Sequence, residues 1–218
     1  MTIIDNWGLI VSGLGVTLGV SILALTLCVA IGVVLGVARV VPIRPFRILA
    51  TCYVEFFRNI PPLVHLFFFF FALPRIGIVL SPLMCGVLGL AMYHAGYVAE
   101  ILRAGIQAVG RDQMEAARAL GLSYVGAMRH AILPQAVWLV IPPLGNLFIS
   151  LFKTSALIAT IGVADLMYQG EILNERTFRT FEIFGGVGLI YLVFSVGIGA
   201  VLRSLETTMI ARRAGHVA

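Results

Sequence analysis

An all-α integral membrane protein with about five transmembrane helices is what this sequence predicts, and three observations carry the expectation. Of 218 residues, 60% are apolar and only 11% are charged, where a soluble domain carries roughly a quarter charged residues. Mean hydropathy is +1.04. The charges stand between long apolar runs instead of being spread through them, so a water-soluble fold of this size would have too few to cover its surface.

A spanning helix needs roughly 20 mostly apolar residues. No charge occurs from Asn6 to Ala38, which places the first span within Leu9–Val37. The second is expected over about Cys52–Leu73, with Glu55 and Arg58 near a water interface, where an Arg side chain snorkels. The third runs from about Pro82 to Leu102 and carries Glu100 near its end. The fourth runs from about Gln135 to Ser155, and the fifth from about Ile183 to Leu202. No Lys or Arg precedes Arg39 and the first apolar run is long, so a cleavable signal is not expected. There is no internal repeat.

Orientation follows from the basic residues. Arg39, Arg44, Arg47 and Arg58 lie in or beside the first loop. Arg103, Arg111, Arg118 and Arg129 lie between spans three and four, and Arg203, Arg212 and Arg213 follow span five. Only Arg75, Arg176 and Arg179 fall opposite, with Lys153 inside a span. The positive-inside rule therefore puts the N-terminus outside and the C-terminus in the cytoplasm. The net charge of +5 is thus a topological signal and not a nucleic-acid footprint.

Local features refine the picture. Gly15 and Gly19, and Gly32 and Gly36, set small residues one turn apart on the first span, a pattern that permits close helix approach. Pro142 and Pro143 deprive the Trp138 and Leu139 carbonyls of their helical partners, so a kink facing protein or a water-filled path is expected there. Cys28, Cys52 and Cys85 sit in apolar stretches and are expected as small buried hydrophobes. His65, His94, His130 and His216 lack metal-ligand spacing, and Phe67–Phe71 is a lipid-facing or packed aromatic run.

The segment from Gly110 to Gln135 is the most informative. Gln113 to Leu120 are good helix formers, and Asp112 suits a helix N-terminus. Gly121 sits where a helix ends in a left-handed residue, Ser123 can cap a second short helix, and Pro134 is expected to break the pattern before span four. Two short helices at an angle on the membrane surface are predicted.

This segment resembles the EAA loop of ABC importer permeases. Glu115, Ala116 and Ala117 are followed after three intervening residues by Gly121, and after nine more intervening residues by Ala131, Ile132, Leu133 and Pro134. Ala131 stands where the family usually has a larger aliphatic residue. The stretch from Glu100 and Arg103 to Gln107, Lys153-Thr154-Ser155 before Ile161-Gly162-Val163, and Phe57-Arg58-Asn59-Ile60-Pro61 resemble the polar amino-acid uptake subfamily. The resemblance implies one type I importer permease domain over residues 9–207, with a cytoplasmic basic tail over 208–218, in a bacterial cytoplasmic (inner) membrane. It implies a coupling helix carrying Glu115, Ala116, Ala117, Arg118, Leu120 and Gly121 that docks on a separate cytoplasmic ATPase. That ATPase dimer would hold ATP and Mg, this chain holding no cofactor. A second permease subunit and an extracytoplasmic binding protein would complete the assembly, with a polar amino acid as substrate. No Gly-x-x-x-x-Gly-Lys-Ser/Thr occurs in the chain, so a phosphate-cradling loop is missing.

Candidate substrate-path residues are Glu100, Asn146, Lys153, Thr154 and Ser155, because polar groups in a span tend to face a cavity. For each a structural role stands beside this one. Lys153, Thr154 and Ser155 suit an interfacial anchor, Asn146 an interhelical hydrogen bond, and Glu100 an ion pair with Arg103 three residues on. A self-sufficient channel or secondary carrier is the alternative function; it would call for more intramembrane ionisable groups or internal repeats. A membrane-embedded enzyme would need a nucleophile with a base or metal-ligand pairs, and neither is found.

Overall fold

The structure, a computed structural model, describes the backbone of residues 3–214 and their side chains except those of Ile4 and residues 209–214. It is all-helical among the described residues. Helix α1 runs over Trp7–Val40, α2 over Arg44–Asn59 and α3 over Pro62–Phe67, the last continuing through wide and tight turns to Ile76. Helix α4 covers Pro82–Ala108, α5 Arg111–Ala119, α6 Tyr124–Ala127, α7 Leu133–Thr154, α8 Leu166–Thr177 and α9 Thr180–Ala214. Among the described residues, four continuous helical stretches are long and apolar enough to cross a membrane, and the bent pair of Arg44–Asn59 with Pro62–Ile76 reaches the same standard when its two parts are taken together.

That bent pair corrects the second expected span. Cys52–Leu73 is not one helix; α2 and α3 meet at 103°. Pro61 drives Ile60 out of the helical region, to φ −102° and ψ 134°, and Pro62 opens α3 at a position where a missing amide costs nothing. Helix α2 is amphipathic, burying Ala50 and Val54 while Phe46, Ile48, Leu49 and Phe56 remain exposed. Cys52 is likewise exposed on α2, unlike the buried Cys28 and Cys85.

The core is the pairing of α1 with α4. Without a hydrophobic drive between helices in lipid, close packing supplies the attraction. Gly32 and Gly36 provide it: a Cβ at Gly32 would overlap the Val98 side chain, and one at Gly36 would lie 2.9 Å from Leu102 Cβ. Gly15 and Gly19 face open space. Nearer the start of α1, Gly13 takes their place, lying against the Asp165 carbonyl and Gln169. Buried Thr17 and Ser21 satisfy their hydroxyls by donating to the carbonyls of Gly13 and Thr17, one turn back.

One proline behaves otherwise than expected. Pro134 does not interrupt the chain, which is helical from Tyr124 to Ile161. A widened turn over Met128–Ile132, closed by the Leu133 amide donating to the Met128 carbonyl, gives the proline ring room. Pro142 and Pro143 lie inside α7, and each lines a cavity, where freed carbonyls can find water or solute.

A second cluster of Ile10, Leu166, Leu173, Ile183 and Val187 joins α1, α8 and α9. Helix α8 was not anticipated; its mixed polarity hides it between two spans. On α9, Leu189, Leu192, Val193 and Val196 are exposed, as a lipid-facing surface requires. The backbone of α9 carries on to Ala214. Apart from Thr208, the side chains of the expected 208–218 tail lie outside the described residues, as does His216.

Candidate functional site

Three places gather the chemically capable residues. The first is the turn between α5 and α6. Gly121 has φ +84°, the left-handed region that strains a residue carrying a Cβ. Around it, the Gly121 amide donates to the Arg118 carbonyl at 2.9 Å and the Leu122 amide to the Ala117 carbonyl at 3.2 Å, the paired bonds of a Schellman stop. Ser123 then caps α6 by accepting from the Gly126 amide at 3.1 Å. Asp112 lies in the first turn of α5, and Gly110 occupies the cap position.

Glu115, Ala116, Arg118, Leu120 and Gly121 are exposed together, whereas Ala117 is buried. Leu120 is 84% exposed and Val125 72% exposed, so the turn offers apolar surface to water. Val125 was not singled out by the sequence, since its pattern value depends on the turn geometry. Tyr124 ties this unit to the bundle by donating to the Val40 carbonyl, the last of α1, at 3.0 Å.

The second place is Glu100 on α4. It pairs with Arg103 one turn on, as its spacing predicts, but also with Arg39 of α1 at 2.5 Å and Arg58 of α2 at 3.6 Å. Sequence spacing exposes only the local partner; the other two arrive through packing.

The third is a cavity of about 340 Å³ between α4 and α7, lined by Tyr93, His94, Tyr97 and Ile101 from α4 and by Pro143, Asn146, Leu147, Ser150 and Thr154 from α7. Asn146, Ser150 and Thr154 recur every fourth residue, so they form one stripe along α7. The Thr154 hydroxyl donates to the Ser150 carbonyl at 2.8 Å and keeps its lone pairs for the cavity. Tyr93 and Tyr97 share a hydrogen bond at 3.1 Å. His94 Nδ1 lies 2.9 Å from the Leu90 carbonyl; a carbonyl only accepts, so Nδ1 carries a proton, while Nε2 is buried with no partner among the described residues.

Of the expected path residues, the structure brings Asn146 and Thr154 to this cavity. Ser155 is buried and donates to the Phe152 carbonyl at 2.7 Å, Lys153 is exposed on another face, and Glu100 lies beyond Tyr97. The aromatic wall on α4 was missed, because a tyrosine in a span looks like any other packing residue. A larger cleft of about 700 Å³ between the start of α1 and α9 is walled almost wholly by apolar side chains and offers little to hold a polar solute.

A multi-helix membrane subunit with a polar-lined cavity between its spans and a rigid two-helix turn outside them has the parts of a transport permease. The chain belongs to the family described as binding-protein-dependent transport system inner membrane component, which matches residues 28–213. It is similar to the probable glutamine ABC transporter permease protein GlnM of Bacillus subtilis (strain 168), at 41% identity over 93% of this chain and 94% of that one. It is also similar to the probable amino-acid ABC transporter permease protein YckA of the same organism, at 36% identity over 86% and 83%. Among solved structures, a chain of an amino acid ABC transporter with histidines superposes with a TM-score of 0.90 at 38% identity, over 94% of this chain and 96% of that one. A chain of the inward-facing MetNI methionine ABC transporter superposes with a TM-score of 0.80 at 19% identity, over 95% and 99%, a likeness of fold. This chain is thus a multi-pass inner-membrane permease subunit of an ATP-driven importer, and ATP hydrolysis belongs to a separate chain.

Proposed function

We propose that the cavity between α4 and α7 is this subunit's share of the translocation path for a polar amino acid. The observation that carries it is the stripe of Asn146, Ser150 and Thr154 facing Tyr93, His94 and Tyr97 across about 340 Å³. A lipid-facing helix would not set three polar side chains in register, because each would forgo water for hydrocarbon. Tyrosine rings, the Ser150 and Thr154 hydroxyls and the Asn146 amide suit a zwitterion with a polar side chain. The amino-acid and glutamine permeases among the relatives support the same substrate class.

In this reading α5 and α6 form the coupling helix. The exposed Glu115, Ala116, Arg118, Leu120 and Gly121 dock on the ATPase, and Ala117 holds the turn from beneath. ATP and Mg sit on that ATPase dimer. A second permease, identical or homologous, closes the other side of the path, and an extracytoplasmic binding protein delivers the substrate. The α5–α6 turn faces the cytoplasm. A cysteine at position 115 should accordingly be labelled only from the cytoplasmic side and one at 175 only from outside.

The path assignment is tested in a Cys52→Ser background, which removes the exposed native thiol. A Ser150→Cys variant is reconstituted with its ATPase and binding protein and treated with a bulky maleimide. Amino-acid uptake should fall at least tenfold on labelling. Unchanged uptake by fully labelled protein refutes the assignment.

A further inference from the structure

Arg58 is left with the weakest claim on a partner of any cation around Glu100. Glu100 Oε2 is held by Arg39 Nη1 at 2.5 Å and receives Arg103 Nε at 3.3 Å, and Oε1 is taken by Arg103 as well. Arg58 reaches the carboxylate only at 3.6 Å, beyond hydrogen-bond distance. Its Nε is buried with no partner among the described residues. Three guanidiniums thus share one carboxylate, and two positive charges remain over beside a membrane span. A charge excess in such a place calls for an anion.

The position of Arg58 says where that anion stands. Its Cγ lies along α4 at Gly96, where a Cβ would come within 2.9 Å, so the absence of a side chain there lets the arginine stem lie flat on the helix. Its guanidinium stacks over the Tyr97 ring with Cζ 5.0 Å from the centroid. Tyr97 and Ile101 line the cavity between α4 and α7 and flank Glu100 in sequence. The Arg58 side chain is 32% exposed, so an anion can approach without displacing Arg39 or Arg103.

Resting on the reading of that cavity as the translocation path, we propose that Arg58 is a specificity-determining residue that receives the α-carboxylate of the transported amino acid at the Tyr97 end. The guanidinium presents paired donors matched to a carboxylate, and Tyr97 fixes its plane. The carboxylate is common to all amino acids, so the arginine selects for the class, and the stripe on α7 is left to discriminate among side chains.

The test uses the purified permease–ATPase complex in nanodiscs of zwitterionic lipid, without binding protein. The twenty amino acids are screened by direct binding; the tightest binder is then compared with its own carboxyl-amide. The parent should prefer the acid by roughly 10- to 100-fold in Kd, the value of one charge-assisted contact. In Arg58→Gln the preference should fall towards one, and in Arg58→Lys it should be partly kept. A general structural role for Arg58 would weaken acid and amide alike and leave their ratio unchanged. An unchanged ratio in Arg58→Gln overturns the assignment, as does equal binding of acid and amide by the parent. So does loss of the parent's preference for the acid when anionic lipid is included in the nanodisc, which would give the site to a lipid headgroup. The cavity reading fails separately, by binding of no amino acid or by unhindered uptake after labelling at position 150.

Discussion

The Leu166 amide donates to the Thr17 hydroxyl at 3.0 Å, across 149 residues of sequence. Both residues are wholly buried, so this one bond fixes the start of α8 to the middle of the first half of α1. Thr17 is at the same time the donor to the Gly13 carbonyl, which orients its lone pairs towards Leu166.

Thr17→Val keeps the shape and removes the acceptor. The Leu166 amide is then left buried without a partner, at a cost of about 1–3 kcal/mol. The thermal midpoint of the purified protein should fall, and Thr17→Ser should recover most of it. An unshifted midpoint in the valine variant would show that the bond carries no stability.

The two glycine pairs on α1 should answer differently to the same change. Gly32→Ala pushes a methyl into Val98 and should destabilise the protein by about 1–3 kcal/mol through overpacking. Gly15→Ala adds a methyl in open space and should leave the midpoint where it was. The comparison is made by thermal unfolding in one detergent; equal responses would sever the assignment of the α1–α4 seam to Gly32.

Gly121→Val should uncouple ATP hydrolysis from transport. At φ +84° a β-branched residue costs roughly 1 kcal/mol or more, so the stop after α5 opens and the exposed Leu120 and Glu115 meet the ATPase at another angle. Insertion in the membrane should be normal. Co-purification with the ATPase, substrate-stimulated hydrolysis and uptake are measured together; parental uptake by the variant would refute the coupling role of the turn.

Asp165 should give the protein a pH dependence. Burial pushes its carboxyl up to about 6, opposed by the amides of Tyr168 and Met167 and by the Tyr191 hydroxyl. The folded state then binds this proton more tightly than the unfolded chain does. Stability should therefore fall as pH rises from about 4 to about 6 and level off above, a total of about 1–3 kcal/mol. Asp165→Asn keeps an acceptor for the Tyr168 amide and removes the titration. Its midpoint should be flatter from pH 4.5 to 7.5 and higher at pH 7.5 than the parent's; parallel profiles would exclude Asp165 as the source.

Residues whose neighbours in sequence are also their neighbours in space were legible beforehand. Gly121, Ser123 and the Glu100–Arg103 pair belong to this group, because turn chemistry and helical spacing are local. Four of the five expected spans are single helices for the same reason. The second failed because hydropathy alone does not register that Pro61 and Pro62 turn the chain through 103°. Contacts made by packing were out of reach. Arg39 and Arg58 meet Glu100 from two other helices, Gly13 rather than Gly15 or Gly19 meets α8, and Tyr93, His94 and Tyr97 become a cavity wall only once α7 lies opposite. Ser155 and Ala117 carry the right chemistry for the roles expected of them, but each is turned into the bundle by its place on the helix.

Helix α1 has mechanical properties that follow from its three attachments. It is held by Tyr124 at Val40, gripped by α4 around Gly32, and fastened to α8 at Thr17. At 1.5 Å per residue, Thr17 and Val40 stand about 35 Å apart along it. Val20, Ala24 and Cys28 share one buried cluster with Leu90, Ala91, Ala95 and Val98 of α4, so the grip is spread along the helix between its two outer fastenings. A displacement imposed at Val40 is therefore handed on to α8 by α1 and α4 together, as a stiff pair, with little of it absorbed by bending on the way.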